Sequence, residues 1–199
     1  MRMIAYILPG VEMTGNTARN TQSTQIPQGD HDMNDTLQNL FRYKAWANHE
    51  LLTALAGLGG EPIVTGLAIK ALSHSYVVDQ IFAAHLRRKA HTYTSANLNE
   101  LPTLADLSAD IRKSDLEYID YVSALDRDHL AESIDFAFTD GAPGRMSREE
   151  MLMHVINHGT GHRGQVSALM LLNSLPPAKD GFTTYLHEAE ASTRRRIAA

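Results

Sequence analysis

Two histidines four residues apart, His158 and His162, are the residues whose types and spacing point most directly to chemistry. The surrounding stretch, residues 151 to 172, has the pattern of a helix. On a helix, positions four apart lie about 40° apart around the axis and about 6 Å along it, so both imidazoles can close on one divalent metal ion. The glutamate of the zinc-protease motif H-E-x-x-H is missing, so a protease that uses that base is not supported. A third ligand must come from elsewhere, and His74 is the candidate.

A third histidine on the same predicted helix, His154, leaves the choice of ligand pair open. His154, His158 and His162 stand at positions i, i+4 and i+8, and the outer two are about 12 Å apart along the axis. Three such side chains do not easily reach one ion, so the pair is either His158 with His162 or His154 with His158. A lone histidine is more often a hydrogen-bonded, partly buried side chain, but the repeated spacing favours a metal site.

The composition narrows the chemistry that the chain can carry out. The 199 residues include no cysteine, which excludes disulfides, thiolate ligands and a cysteine nucleophile. The formal net charge is -5 and no basic stripe is present, which opposes DNA binding through phosphate contacts. No apolar run approaches the roughly 18 residues of a membrane span. The apolar segment 3–11 has no convincing cleavage site, so we expect a cytoplasmic protein.

The chain divides into a leader, one domain and a tail. Residues 1–32 are rich in Thr, Asn, Gln and Gly without helical periodicity, and we expect this leader to be disordered. Met33 is a candidate for the true start of the protein. Periodic apolar residues begin after it, and they predict a single domain over residues 33–190, followed by a tail over residues 191–199.

Within the domain, the spacing of apolar residues predicts an all-α, four-helix bundle. A short hairpin or extended crossover is expected between the third and fourth helices, because Ile134, Phe136 and Phe138 alternate before the turn signal Asp140-Gly141. The first predicted helix runs from Asn34 to about Gly57, and the second from about Gly66 to His91. The third begins at a cap at Thr103, with Asp106 as its partner. The fourth begins at a cap at Ser147, with Glu150 as its partner, and ends before Pro176.

Four separated segments carry a resemblance to a known family. They are residues 157–166 (NHGTGHRGQV), residues 40–48 (LFRYKAWAN), residues 72–74 with 79–82, and Pro176-Pro177 with residues 182–186. These segments resemble the DinB/YfiT-like metalloenzyme family, which is unrelated to the DNA polymerase that shares the DinB name. The resemblance covers roughly residues 33–190. Gly161 and Phe82 depart from the pattern, because many members have a further histidine and an indole there, but neither change removes a ligand.

The resemblance implies a bundle that holds a divalent metal, nickel or zinc in most members, through His74, His158 and His162. Three imidazoles leave a coordination position open, as in catalytic sites. Some relatives are thiol-dependent S-transferases or isomerases that use low-molecular-weight thiols. We therefore expect a metal-dependent enzyme, thiol S-transferase-like or hydrolase-like, that acts on a small molecule as a homodimer. The alternative is a stress-related metal-binding or interaction protein without turnover. A third class, DNA binding, has only the family's damage-inducible name in its favour, and the charge balance opposes it. No catalytic residue is assigned.

Several neighbours of the predicted ligands have less certain roles. Gln165 could orient a ligand or substrate, because it lies three residues after His162. Asn157 and Arg163 lie 100° from the adjacent histidines and could face another helix. Asp79 is more consistent with a residue on the helix surface or a hydrogen-bond partner between helices than with a metal ligand. Trp46 is predicted to lie in the core.

Protons should compete with the metal for the imidazoles. All three must be neutral to bind, and the ordinary pKa of a histidine is about 6.5. We therefore expect metal-dependent stability above roughly pH 7 that fades as the pH falls through about 5 to 6.

Overall fold

Four long helices and one β-hairpin form most of the chain that this computed structural model describes, which is residues 33–58, 62–189 and 191–194. The predicted disordered leader lies outside the described residues. The elements in chain order are α1 (Met33–Ala56), α2 (Pro62–Leu86), α3 (Leu104–Ser123), α4 (Arg127–Ala131), β1 (Ser133–Ala137), β2 (Pro143–Ser147), α5 (Arg148–Leu172), α6 (Phe182–Ala189) and α7 (Ala191–Arg194).

The long helices α1, α2, α3 and α5 form the predicted bundle. Helix α1 packs on α3 and α5, and α2 packs on the same two helices. The end of α2 meets the beginning of α5, where the guanidinium of Arg148 donates a 2.6 Å hydrogen bond to the carbonyl of Leu86. Helices α2 and α5 are therefore antiparallel neighbours. Across the described ranges, no helix combines the length and apolar character that crossing a bilayer requires.

Local sequence signals define the beginnings of α3 and α5, as predicted. The hydroxyl of Thr103 accepts a hydrogen bond from the backbone N–H of Asp106. Ser147 and Glu150 form a reciprocal capping box at the beginning of α5. Because Ser147 is also the last residue of β2, the hairpin leads directly into the helix that carries His158.

Of the two forms predicted for this connection, a hairpin or an extended crossover, the structure has the hairpin. Strands β1 and β2 pair in antiparallel register from Ser133 opposite Ser147 to Ala137 opposite Pro143. The turn contains Gly141 at a φ of 85°, a conformation that glycine adopts without strain. Ile134 is 1% exposed and anchors β1 on the bundle core.

The second helix differs from its predicted range of 66–91. It begins at Pro62, because proline is compatible with the first turn of a helix, where its missing N–H has no partner to lose. It ends at Leu86, because Arg88 takes a left-handed conformation with a φ of 53° and Lys89 donates back to the carbonyl of Ala84. The short helices α4 and α6 were not predicted.

A buried polar layer divides the bundle core into two apolar clusters. The ammonium of Lys44, which is 2% exposed, lies 2.8 Å from Asp79 Oδ2 and 2.7 Å from Asp115 Oδ1. Asn48 donates to Asp115, and Arg163 points towards Asn48 from α5. One apolar cluster includes Phe41, Phe82, Tyr118 and Leu152, and the other includes Leu51, Leu72, Ile111 and Val166.

The charges of this layer stabilise one another. Burial alone would lower the pKa of Lys44, but the negative charges of Asp115 and Asp79 raise it overall, so the amine stays protonated. Burial raises the pKa of Asp79 to about 6, although the Lys44 charge opposes the shift. The polar layer therefore connects α1 to α2 and α3 through buried ion pairs.

Candidate metal centre

His74, on α2, meets His158 and His162, on α5. One ring nitrogen from each of the three side chains lies within 4.8 Å of the other two. The closest pair consists of the Nε2 atoms of His158 and His162, which are 3.2 Å apart. All three rings are half-buried. This set of nitrogen donors, gathered in a small volume, can hold a divalent metal ion. The assignment of each histidine as a ligand stays a prediction.

The orientation of His74 is set by the segment that follows α2. Its Nδ1 lies 3.1 Å from the carbonyl oxygen of Ala96. Because a carbonyl can only accept, Nδ1 carries the hydrogen and donates it. The other ring nitrogen, Nε2, then keeps its lone pair and is able to bind a metal. The Ala96 carbonyl thus selects a tautomer of His74 that is suited to ligation.

The two cluster histidines on α5, His158 and His162, resist protonation. The pKa of His158 is lowered to about 3, mainly by burial and further by His162, His154, His74 and Lys44. Burial, together with His74, also lowers the pKa of His162, and a hydrogen bond with Gln165 partly opposes this shift. Both imidazoles are therefore neutral near pH 7, which is the state that binds metal. Gln165 contacts His162, as its position in the sequence suggested.

These lowered pKa values correct the expected pH window. When folding lowers the pKa of a histidine, the folded state is most stable above the pKa of the unfolded state, which is about 6.5. The folded state loses this stability as the pH falls towards the lower, folded-state pKa. A metal ion held by His158 would therefore lose this ligand to protons only at a pH below the range of 5 to 6 that an ordinary imidazole predicts.

We expect nickel to raise the melting temperature at about pH 5 as well as at about pH 7.5, because His158 stays neutral at both values. The metal-free protein should itself be less stable at the lower pH, because unfolding releases histidines that take up protons. Melting curves with and without one equivalent of nickel at each pH measure both effects. A nickel effect at pH 7.5 that disappears at pH 5 would contradict the prediction.

The other residues near the histidines have structural partners. Asp79 binds Lys44, which confirms the interpretation as a hydrogen-bond partner between helices. Arg163 is 1% exposed, and its Nε donates a 2.8 Å hydrogen bond to Asp180. Trp46 contacts the ring of Tyr185 on α6, in a small aromatic cluster. Asn157 is exposed. No signal in the sequence indicated that Asp180 or the buried Lys44 would be partners in this region.

A cavity of about 220 Å³ lies directly beside the histidine cluster, and His158 forms part of its wall. His154 lines this cavity and does not belong to the cluster. Its ring stacks on His158 at a centroid distance of 5.5 Å and lies 4.6 Å from the ring of Phe82. The lining residues are Val78, Ile81, Phe82, His85, Ala96, Phe136, Phe138, Thr139, His154 and His158.

The glycines of α5 are not equivalent. A Cβ added at Gly159 would lie 3.3 Å from Cε of the buried Lys44, whereas nothing lies within 4 Å of a Cβ added at Gly161. Gly159 therefore allows α5 to approach α1 beside the polar layer.

We expect Gly161→Ala to stabilise the protein by up to about 1 kcal/mol, because alanine is the better helix former. Gly159→Ala should gain less or should destabilise, because the Lys44 stem must move away from its two carboxylates. Urea unfolding of both variants without metal gives the comparison. Equal gains at the two positions would show that Lys44 does not restrict Gly159.

Comparisons of the sequence and of the structure with known proteins lead to the same family. The DinB family model matches residues 33–195. Protein DinB of Bacillus subtilis is 22% identical over 165 residues, which cover 77% of this chain and 95% of that protein. A crystal structure of a DinB-like protein from Bacillus cereus matches with a TM-score of 0.50 and 19% identity, over 74% of this chain and 95% of that one. That structural similarity supports the bundle fold, and the family match spans most of the sequence. The chain belongs to the DinB family.

Proposed function

We propose that this protein binds one divalent metal ion through His74, His158 and His162 and uses it in a reaction of a small molecule. The observation that carries the proposal is the position of His158, which belongs to the histidine cluster and also lines the adjacent cavity. A molecule in that cavity would lie against the candidate metal site. A histidine cluster with a purely structural role would not need such a cavity.

The donor set agrees with this role. Imidazoles suit nickel and zinc, and three protein ligands leave a coordination position open. When bound, such an ion supplies Lewis acidity, which lowers the pKa of a water or thiol in the open position. The chain contributes a ligating tautomer of His74, which Ala96 selects, two neutral imidazoles at His158 and His162, and a mostly apolar cavity beside them.

Two reaction classes fit this arrangement, transfer of a thiol and hydrolysis. Because the chain has no cysteine, a thiol would have to be a second, low-molecular-weight molecule. We favour thiol transfer, as in similar family members, by a cytoplasmic homodimer. The second candidate function is a metal-binding or interaction protein without turnover.

A reaction screen with nickel- and zinc-loaded protein tests the proposal. Small thiols such as glutathione and cysteine are combined with chlorodinitrobenzene, and nitrophenyl esters test hydrolysis. We expect turnover that is lost on chelation and in His158→Ala, but retained in His49→Ala, which alters an exposed histidine on α1. Stoichiometric metal without turnover on any substrate would favour the second candidate. Absence of metal binding would exclude the enzyme and the metal-binding role, and would leave only the interaction protein.

A further inference from the structure

We propose that the cavity beside His158 binds an uncharged small molecule that carries one aromatic ring, with His154 as its polar contact. The inference deepens the proposed function, because it names the class of substrate that would lie against the candidate metal site. Its binding test does not depend on metal or on turnover.

The cavity wall is mostly apolar, and its polar side chains are three histidines and one threonine. Helix α2 contributes Val78, Ile81 and Phe82, and the hairpin region contributes Phe136 and Phe138. Among the lining residues, none is Lys, Arg, Asp or Glu. A charged ligand would lose its hydration here without meeting an opposite charge, which is costly. The wall therefore selects against carboxylates, phosphates and ammonium groups.

The ring-bearing side chains favour an aromatic ligand. The rings of Phe82 and Phe136 are 6.2 Å apart and inclined by 56°, and those of Phe136 and Phe138 are 5.0 Å apart and inclined by 69°. Rings at these inclinations present both faces and edges to a ligand in the cavity. Aromatic pairs prefer such tilted or offset contacts. A cavity of about 150 Å³ holds benzene, so the observed 220 Å³ fits one ring with a short substituent.

The hairpin holds one of these rings in place. Phe136 lies opposite Gly144 in the strand pair. A Cβ at Gly144 would lie only 2.5 Å from Cζ of Phe136, so the aromatic ring occupies the space that a side chain would take. Phe136 is therefore oriented before a ligand enters, which reduces the entropy lost on binding.

His154 supplies the polar group. Its imidazole has two ring nitrogens, which can donate or accept hydrogen bonds. Throughout the described ranges, no hydrogen bond involves the His154 ring. Its nitrogen atoms can therefore bind a hydroxyl or carbonyl on the ligand. We infer a neutral polar substituent on the aromatic ring for this reason.

Fluorine NMR titration of the full-length, metal-free protein with 4-fluorobenzyl alcohol tests the inference. We expect saturable binding, and affinity at least roughly tenfold weaker for 4-fluorobenzoate, which has a similar ring but carries a charge. Equal affinity for the alcohol and the carboxylate would overturn the inference.

Three variants and one control locate the binding. Ile81→Trp should fill the cavity and abolish binding, and Phe138→Ala, at a half-exposed position, should weaken it several-fold without a threat to folding. His154→Phe keeps a ring but removes the hydrogen bond, and it should weaken the alcohol more than fluorobenzene. Leu116→Trp, on the exposed face of α3, should bind as the parent does. Unchanged binding in both Ile81→Trp and Phe138→Ala would place the ligand elsewhere.

The same experiments separate this inference from the proposed function. Metal binding by the histidines together with no binding of the alcohol would refute the aromatic pocket alone. Binding of the alcohol by a protein that takes up no metal would refute the proposed metal site and leave the pocket in place.

Discussion

Protein in which His158 or His162 is replaced with alanine is expected to contain no stoichiometric metal after purification without chelator. The ring nitrogens of these residues lie close to that of His74, all within 4.8 Å, and removal of one ring leaves only two of the three donors. Two imidazoles without further protein ligands make a much weaker site. His74→Ala should have the same effect, because it removes the only donor from α2 in the described cluster.

The matched control for these variants is His154→Ala. His154 lies on the same face of α5, one helical turn before His158, and yet it lines the cavity and does not belong to the cluster. It should keep most of the metal. Elemental analysis of the purified variants, with nickel titration calorimetry, gives the measurement. If His158→Ala and His162→Ala both kept a full equivalent, the ligand assignment would be wrong.

The second large effect concerns Lys44. Its replacement with methionine is expected to lower the free energy of unfolding by about 3 to 5 kcal/mol, the usual cost of leaving a buried charge without its partner. Two carboxylates, Asp79 and Asp115, share this ammonium at 2.8 and 2.7 Å, and both are buried. Without it they would repel each other in a region that water does not reach.

Urea unfolding at about pH 7.5 with chelator present measures this change separately from metal binding. The matched control is Arg145→Met, which breaks an exposed ion pair with Asp135 and should cost less than about 1 kcal/mol. A triple variant, Lys44→Met with Asp79→Asn and Asp115→Asn, should recover part of the loss, because no uncompensated charge remains. Equal losses for Lys44→Met and Arg145→Met would show that the layer is not a buried ion network.

Structural features that depend on a few neighbouring residues could be predicted from the sequence. The caps at Thr103 and Ser147 formed as expected, because each hydroxyl needs only a backbone N–H three residues away. The spacing of His158 and His162 is likewise local to one helix. His74 was a candidate from the outset, and the family resemblance joined it to that pair.

Features that depend on the approach of distant segments were missed. Lys44 and its partner Asp115 are 71 residues apart, and either residue alone has the character of a surface side chain. Helix α2 ends at Leu86 because Arg88 adopts a left-handed backbone conformation, and arginine is not a residue type that predicts this conformation. The cavity forms only when the hairpin places Phe136 over α2 and α5.

Ala96 connects the two proposed sites. Its carbonyl accepts the hydrogen bond from His74, and the residue also lines the cavity. A ligand that displaced this residue would change the metal affinity by some factor, and metal would then change the ligand affinity by the same factor. The two occupancies would therefore form one thermodynamic cycle, coupled through the segment after α2.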